Sequence, residues 1–296
     1  MRIVSLLPSA TDVIADLGLI DSLVGVSEDC DWPPEVRTKP LVARTRVDLS
    51  GLSAAQIDEL VDAEASGSHS LYAVDAGLMA GLAPDLVIIQ DVCEVCAVSS
   101  GDLASACPIG AEVFSINVRT LADVLAGVVD LAGRLGVRER GVAVAGKMRS
   151  TIDAVRDATA GADRRRVFVA ESIDPPYGAG HWVPEMVEAA GGSSVLASPG
   201  EYSTKTSWEA VLDAEPELIV VAACGFDVER TMARAGGLCL PVPTVVVDGD
   251  AYFSRPAPRL ADGVRQLGHL LHPERVEDPG LPCEWLPVGA FAPVAA

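Results

Sequence analysis

Short β-branched and aliphatic runs alternate along this chain with stretches in which apolar positions recur every three to four residues. The first kind predicts strands over Arg2–Leu6, Leu23–Ser27, Leu86–Gln90 and Glu112–Ile116. The second predicts helices over Thr11–Leu17, closed by Gly18, over Ser53–Ala65, and over Asp75–Ala83 before Pro84. From Thr120 to about Ala160 the strand signal stops, and Leu121, Val124, Leu125, Val128 and Leu131, then Val142, Val144, Met148, Ile152 and Val155, follow a helical period. The βα rhythm resumes with strands at Arg166–Glu171, Leu218–Ala223 and Thr244–Asp248. Helices fit at Pro184–Ala190, Trp208–Asp213, Asp227–Ala235 and Arg259–Leu271. This order predicts an α/β protein of two Rossmann-like lobes with parallel sheets joined by a long helix. The expected divisions are a lobe over residues 1–118, a bridging helical segment over 119–161, a second lobe over 162–273 and an extended, proline-rich tail over 274–296.

Composition narrows the partners. The chain carries 42 acidic and 22 basic residues, a formal net charge of −20 that repels phosphate backbones and anionic bilayers, so no nucleic-acid partner is expected. No stretch approaches the roughly 18 uninterrupted apolar residues of a membrane helix, so no membrane insertion is expected. The first apolar run, Ile3–Leu7, is shorter than the roughly 7 to 15 residues of a signal-peptide core. As written, the sequence therefore leads us to expect a cytoplasmic protein, or a periplasmic or extracellular one if a leader precedes it. In a reducing compartment, seven cysteines point to thiol, metal or packing roles rather than a disulfide framework.

In an open parallel sheet, ligands bind beyond the carboxyl ends of the strands. Those positions hold unusual residues here: Cys30 and Trp32 after the second strand, Cys93 and Cys96 after Leu86–Gln90, and Tyr177, His181 and Trp182 after Arg166–Glu171. Cys224 and Phe226 follow Leu218–Ala223, and Tyr252, Phe253 and Arg255 follow Thr244–Asp248. Ser9 lies just beyond the first strand. Aromatic residues are only 4% of the chain, so their gathering at strand ends suits the walls of a flat or macrocyclic ligand. Arg44, Arg46 and Arg255 could grip carboxylate or phosphate groups of such a ligand.

Thiolates select zinc, copper(I) or iron–sulfur clusters, and Cys93-x-x-Cys96 has the spacing of two ligands to one centre. Cys30 and Cys224 could complete four sulfur ligands, with His181 as a spare nitrogen, while packing is the competing role for each of these cysteines. Cys107, Cys239 and Cys283 lie away from strand ends and read as packing. Neither a nucleophile elbow nor a dinucleotide fingerprint is present.

Taken together, Ser5-Leu6-Leu7-Pro8-Ser9-Ala10-Thr11-Asp12, the two βα blocks with a helical bridge, and Asp248-Gly249 resemble the helical-backbone (class III) substrate-binding proteins of vitamin B12 and iron-chelate ABC transporters. The resemblance spans Ile3 to Pro273. It is closest to a cobalamin-binding-protein-like branch with Cys-Asp-x-Pro-Pro, Cys-x-Val-Cys-Ala-Val, Gly-His-Trp-Val-Pro-Glu-Met, Cys-Gly-Phe-Asp and Tyr-Phe-x-Arg-Pro-x-Pro-Arg-Leu, here the segments starting at Cys30, Cys93, Gly180, Cys224 and Tyr252. The resemblance implies a binding protein that holds cobalamin, another corrinoid or an iron chelate in a cleft between the lobes, with an ABC permease as a possible partner. The alternatives are a cytoplasmic metalloprotein or iron–sulfur enzyme that uses Cys30, Cys93, Cys96 and Cys224 to hold a cluster or zinc beside a small substrate, and a CxxC thiol oxidoreductase.

Overall fold

A computed structural model describes residues 1–46, 72–90, 110–235 and 237–291, together with Leu103 and Pro108. The predicted helix Ser53–Ala65 and the pair Cys93 and Cys96 lie outside the described residues, as does Cys107. The chain is mixed α/β, as the alternation of runs predicts, and its contacts group it into two compact units. One comprises residues 1–118 with 126–145, the other residues 119–125 with 146–296.

The first unit is built on a six-stranded sheet of β1 (Ile3–Ser5), β2 (Leu23–Ser27), β3 (Leu41–Thr45), β4 (Tyr72–Val74), β5 (Leu86–Ile89) and β6 (Glu112–Ser115) in the order β4-β3-β2-β1-β5-β6. All neighbours are parallel except β3 and β4. Central β5 (Leu-Val-Ile-Ile) is buried at every position, as a strand covered on both faces must be. Helices α1 (Pro8–Asp16) and α2 (Ala76–Leu82) belong to this unit. Val4, Leu6, Met79, Val87 and Ile89 share its core.

The predicted helical bridge is two helices, α3 (Leu121–Arg134) and α4 (Arg138–Ala158), and each contributes to both units. The start of α3 is written in a capping box: the Asp123 backbone N–H donates to Thr120 Oγ1 at 3.1 Å and Thr120 N–H to Asp123 Oδ2 at 3.0 Å. Val142, expected on the apolar stripe of α4, is exposed. A Cβ on Gly141 would collide with Ala132, so glycine faces inward there and the buried stripe runs through Ala145, Met148, Ile152 and Val155.

The second unit has β7 (Arg165–Ile173), β8 (Pro176–Gly178), β9 (Gly192–Ser194), β10 (Thr204–Lys205), β11 (Leu218–Val221), β12 (Thr244–Val247) and β13 (Cys283–Trp285). Its order is β10-β8-β7-β11-β12-β13, with β9 beside β7. β7, β11 and β12 are parallel, and antiparallel strands close both edges. Residues beyond Pro273 are thus not only an extended tail, since they supply edge strand β13 against β12. Helices α5 (Val183–Ala189), α6 (Trp208–Asp213), α7 (Val228–Ala235) and α8 (Leu260–Leu271) complete the unit. In α8, Leu260, Val264, Leu267 and Leu271 recur at helical spacing and are all buried. Phe168 on β7 is fully buried with the Trp208 ring edge-on at 6.3 Å, and Ile219, Val221 and Val246 pack around them.

Candidate functional site

The carboxyl ends of β7, β11 and β12 carry the loops that hold most of the expected ligand residues. Gly180 opens the first of these segments. A Cβ there would lie 2.5 Å from the Glu201 carbonyl, so only glycine lets the backbone press this close. The neighbouring chains then pair: His181 N–H donates to Glu201 O at 2.6 Å, and Gly200 N–H to His181 O at 2.9 Å. His181 takes φ +54°, a left-handed conformation that histidine adopts more readily than most residues.

This pairing places the His181 ring edge-on to Tyr202, with centroids 5.4 Å apart, and tilted against Trp182 at 5.7 Å. Trp182 is anchored through its indole N–H, which donates to Phe253 O at 2.8 Å. Arg119 lies over the Tyr202 ring, 4.4 Å from its centroid, and donates to the phenol oxygen. Burial, and then the Arg119 charge, push the His181 pKa below its ordinary 6.5. The imidazole is therefore neutral at pH 7, with a nitrogen lone pair free of a proton. Arg119 and Tyr202 are additions to the sequence reading. Their one trace there is that Arg119 precedes the capping box of α3.

The loop after β12 is built by a close approach. A Cβ on Gly249 would overlap Ala222 and Ala223 at the end of β11, so glycine brings the two strand ends together. Asp248 Oδ1 accepts Ala251 N–H at 2.8 Å. Burial raises the Asp248 pKa above the usual carboxylate value, and Asp250 and Asp227 push the same way, against the Ala251 hydrogen bond and Arg259. The Tyr252 hydroxyl is likewise raised, mainly by burial.

Two of the expected ligand residues in this loop are engaged within the fold. Phe253 is 2% exposed and serves the core, while its carbonyl positions Trp182. Arg255 is 6% exposed and forks onto Asp250, with Nε to Oδ1 at 3.1 Å and Nη2 to Oδ2 at 2.5 Å. Its guanidinium thereby braces its own loop. After β11, Phe226 carries the guanidinium groups of Arg230 and Arg234 at 4.4 and 4.1 Å from its ring centroid. Tyr177 stands on β8 with the Lys205 ammonium 5.9 Å from its ring.

The first unit's strand ends differ. Cys30 is 2% exposed, its sulfur accepting from Thr11 Oγ1 at 3.1 Å, lying 3.1 Å from Ser27 Oγ and reaching toward Ser5 O at 3.8 Å. The thiol is thus enclosed by hydroxyl and carbonyl groups of its own unit. Cys224 is exposed beyond β11, and its backbone N–H donates to Glu171 O at 2.9 Å. Among the described residues, no three His, Cys, Asp or Glu side chains are grouped to hold a metal ion, so the iron–sulfur and zinc reading gains no support there. Ser9 is 3% exposed with no hydrogen-bond partner for its Oγ. Trp32 is 42% exposed, Arg44 is exposed on β3, and Arg46 donates to Tyr72 O at 3.0 Å. Among the described residues, no helix is long and apolar enough to cross a membrane.

A model of the periplasmic binding protein family matches residues 3–236. Among individual proteins, the cobalamin-binding protein of Halobacterium salinarum is 27% identical over 287 residues, covering 92% of this chain and 69% of that one. The vitamin B12-binding protein of Vibrio cholerae is 25% identical over 272 residues, covering 90% of this chain and 87% of that one. Among solved structures, a periplasmic heme-binding protein from Pseudomonas aeruginosa shares the fold with a TM-score of 0.70 at 19% identity, over 97% of this chain and 99% of that one.

Proposed function

The chain belongs to the periplasmic binding protein family, and on that premise we propose that it binds a flat metal chelate, a corrinoid first and an iron chelate second, without chemically altering it. The observation that carries this reading is the neutral His181 imidazole held between Trp182 and Tyr202 beyond the strand ends of the second unit. Aromatic faces suit the apolar plane of a macrocycle, and a neutral imidazole can donate its lone pair to a metal at the macrocycle's centre. Tyr177, Phe226 and Tyr252, on the same unit, would add apolar surface. The curated relatives named for cobalamin and vitamin B12 support the corrinoid as first choice. The metal then arrives within the cargo and no site made by the chain's own thiols is required.

Family membership favours a working place outside the cytoplasm over the cytoplasmic setting expected from the amino end. An ABC permease to which the cargo is passed fits the same reading. The test is equilibrium titration of the purified protein with cyanocobalamin and with hemin, followed by tryptophan fluorescence and calorimetry. Saturable one-to-one binding of either with a dissociation constant of about 1 μM or below, roughly −8 kcal/mol, is expected. Absence of binding by both at about 100 μM would overturn the reading.

A further inference from the structure

Three helices of the second unit turn residues toward one cavity of about 410 Å³. That lies within the roughly 300 to 1,000 Å³ of small-molecule sites. Arg149, Ile152, Asp153 and Arg156 recur at three- and four-residue steps along α4, so they share one face. Glu185, Glu188 and Ala189 do the same on α5, and Leu121 and Leu125 on α3. Arg164, just ahead of β7, completes the wall. None of these residues belongs to the aromatic and imidazole face beyond the strand ends.

The lining is divided by chemistry. Leu121, Leu125, Ile152 and Ala189 are buried and form an apolar floor. The charged part is three guanidinium and three carboxylate groups. Four of the six are engaged within the fold: Arg156 Nη1 donates to Asp153 Oδ1 at 2.5 Å, Arg164 donates from Nε and Nη2 to Gly192 O at 3.0 and 2.6 Å, and Glu185 Oε2 accepts Leu121 N–H at 2.6 Å. Arg149 and Glu188 remain. They carry opposite charges on the same cavity, yet among the described residues neither enters a hydrogen bond or an ion pair. One cation and one anion beside an apolar floor call for a molecule with a carboxylate, an ammonium and an apolar arm.

We propose that this cavity binds an apolar α-amino acid, with its carboxylate on Arg149, its ammonium on Glu188 and its side chain on the floor of Leu121, Leu125 and Ile152. A guanidinium meets a carboxylate through two parallel N–H donors, and an ammonium brings three N–H donors to a carboxylate, so charge-assisted hydrogen bonds match both ends. The site does not depend on the chelate: its residues are separate, and failure of hemin or cobalamin to bind leaves it standing.

Calorimetric titration of the full chain compares L-leucine with 4-methylpentanoate, which lacks the ammonium, and with isopentylamine, which lacks the carboxylate. L-Leucine should bind one-to-one with a dissociation constant below about 1 mM, and each analogue about tenfold or more weakly. Arg149→Gln and Glu188→Gln change exposed positions, so the melting temperature should hold while L-leucine affinity falls about tenfold or more in each. The analogue comparison needs only the wild type, so it decides the matter even if a substitution disturbs folding. Absence of saturable L-leucine binding below that limit, an analogue that binds as tightly as L-leucine, or wild-type affinity in either folded variant would overturn the site.

Discussion

The strand ends of the two units carry a cysteine apiece among the described residues, yet their surroundings are opposite. Beyond β2, Cys30 is enclosed by the hydroxyls of Thr11 and Ser27, so its lone pairs face partners inside the fold. Beyond β7, β11 and β12, the second unit instead leaves aromatic and imidazole surface partly open, with Tyr202 51% exposed beside a half-buried neutral histidine. Position at a strand's carboxyl end is therefore not enough to make a ligand group. What matters is whether its polar atoms are already engaged.

The largest expected effect tests the rigidity of the second unit's end. Asp250→Ala removes the forked carboxylate from the buried Arg255 guanidinium, which should cost about 1.5 to 3 kcal/mol in urea unfolding. A loss under about 1 kcal/mol would show that this loop is not braced as the geometry implies. Next comes affinity. Trp182→Ala removes an anchored ring of the proposed face and should weaken cobalamin or hemin binding about tenfold to a hundredfold, some 1.4 to 2.8 kcal/mol, with a smaller change in melting temperature. If the affinity stays within a factor of two, the chelate rests elsewhere.

Cys30→Ala tests the other side of the comparison. Thr11 and Ser27 would lose a buried sulfur partner, so stability should fall by about 1 to 2 kcal/mol while chelate affinity and metal content hold. A fall in metal content instead would restore the thiol as a ligand. The smallest effects are those of pH. Because the folded pKa of His181 lies below 6.5, the unfolded chain takes up the proton more readily. The stability tied to this group is complete above 6.5 and is lost as pH falls below it, a slope that His181→Phe should remove. Asp248 has the opposite sign. Its raised pKa means stability is complete below 3.8 and is lost as pH rises through the folded value, so Asp248→Asn should raise the melting temperature at pH 7 and not at pH 3.

Much of the fold was legible because buried strands leave a strong trace: Leu-Val-Ile-Ile in β5 and Leu-Ile-Val-Val in β11 are covered on both faces and must be apolar throughout. Strand β13 left no such trace. Cys283, Glu284 and Trp285 are all exposed at the sheet edge, where pairing with β12 rather than burial defines the strand. The site was legible in part for a related reason. Gly180, His181 and Trp182 announce a tight aromatic loop, but the contact of His181 with Tyr202 depends on backbone pairing across about twenty residues, and no local pattern encodes it. The fork of Arg255 onto Asp250 left no local trace either, since it is made through the turn between them.

The central claim is that the protein's metal comes within a bound chelate held by the aromatic and imidazole face of the second unit, not by a cluster of cysteine thiolates. Its most direct test is a parallel titration of cyanocobalamin and hemin into the wild type, Trp182→Ala and Cys224→Ser. The account predicts one-to-one saturation in the wild type, about tenfold or greater weakening in Trp182→Ala and an unchanged constant in Cys224→Ser. Loss of binding in Cys224→Ser with none in Trp182→Ala would contradict it.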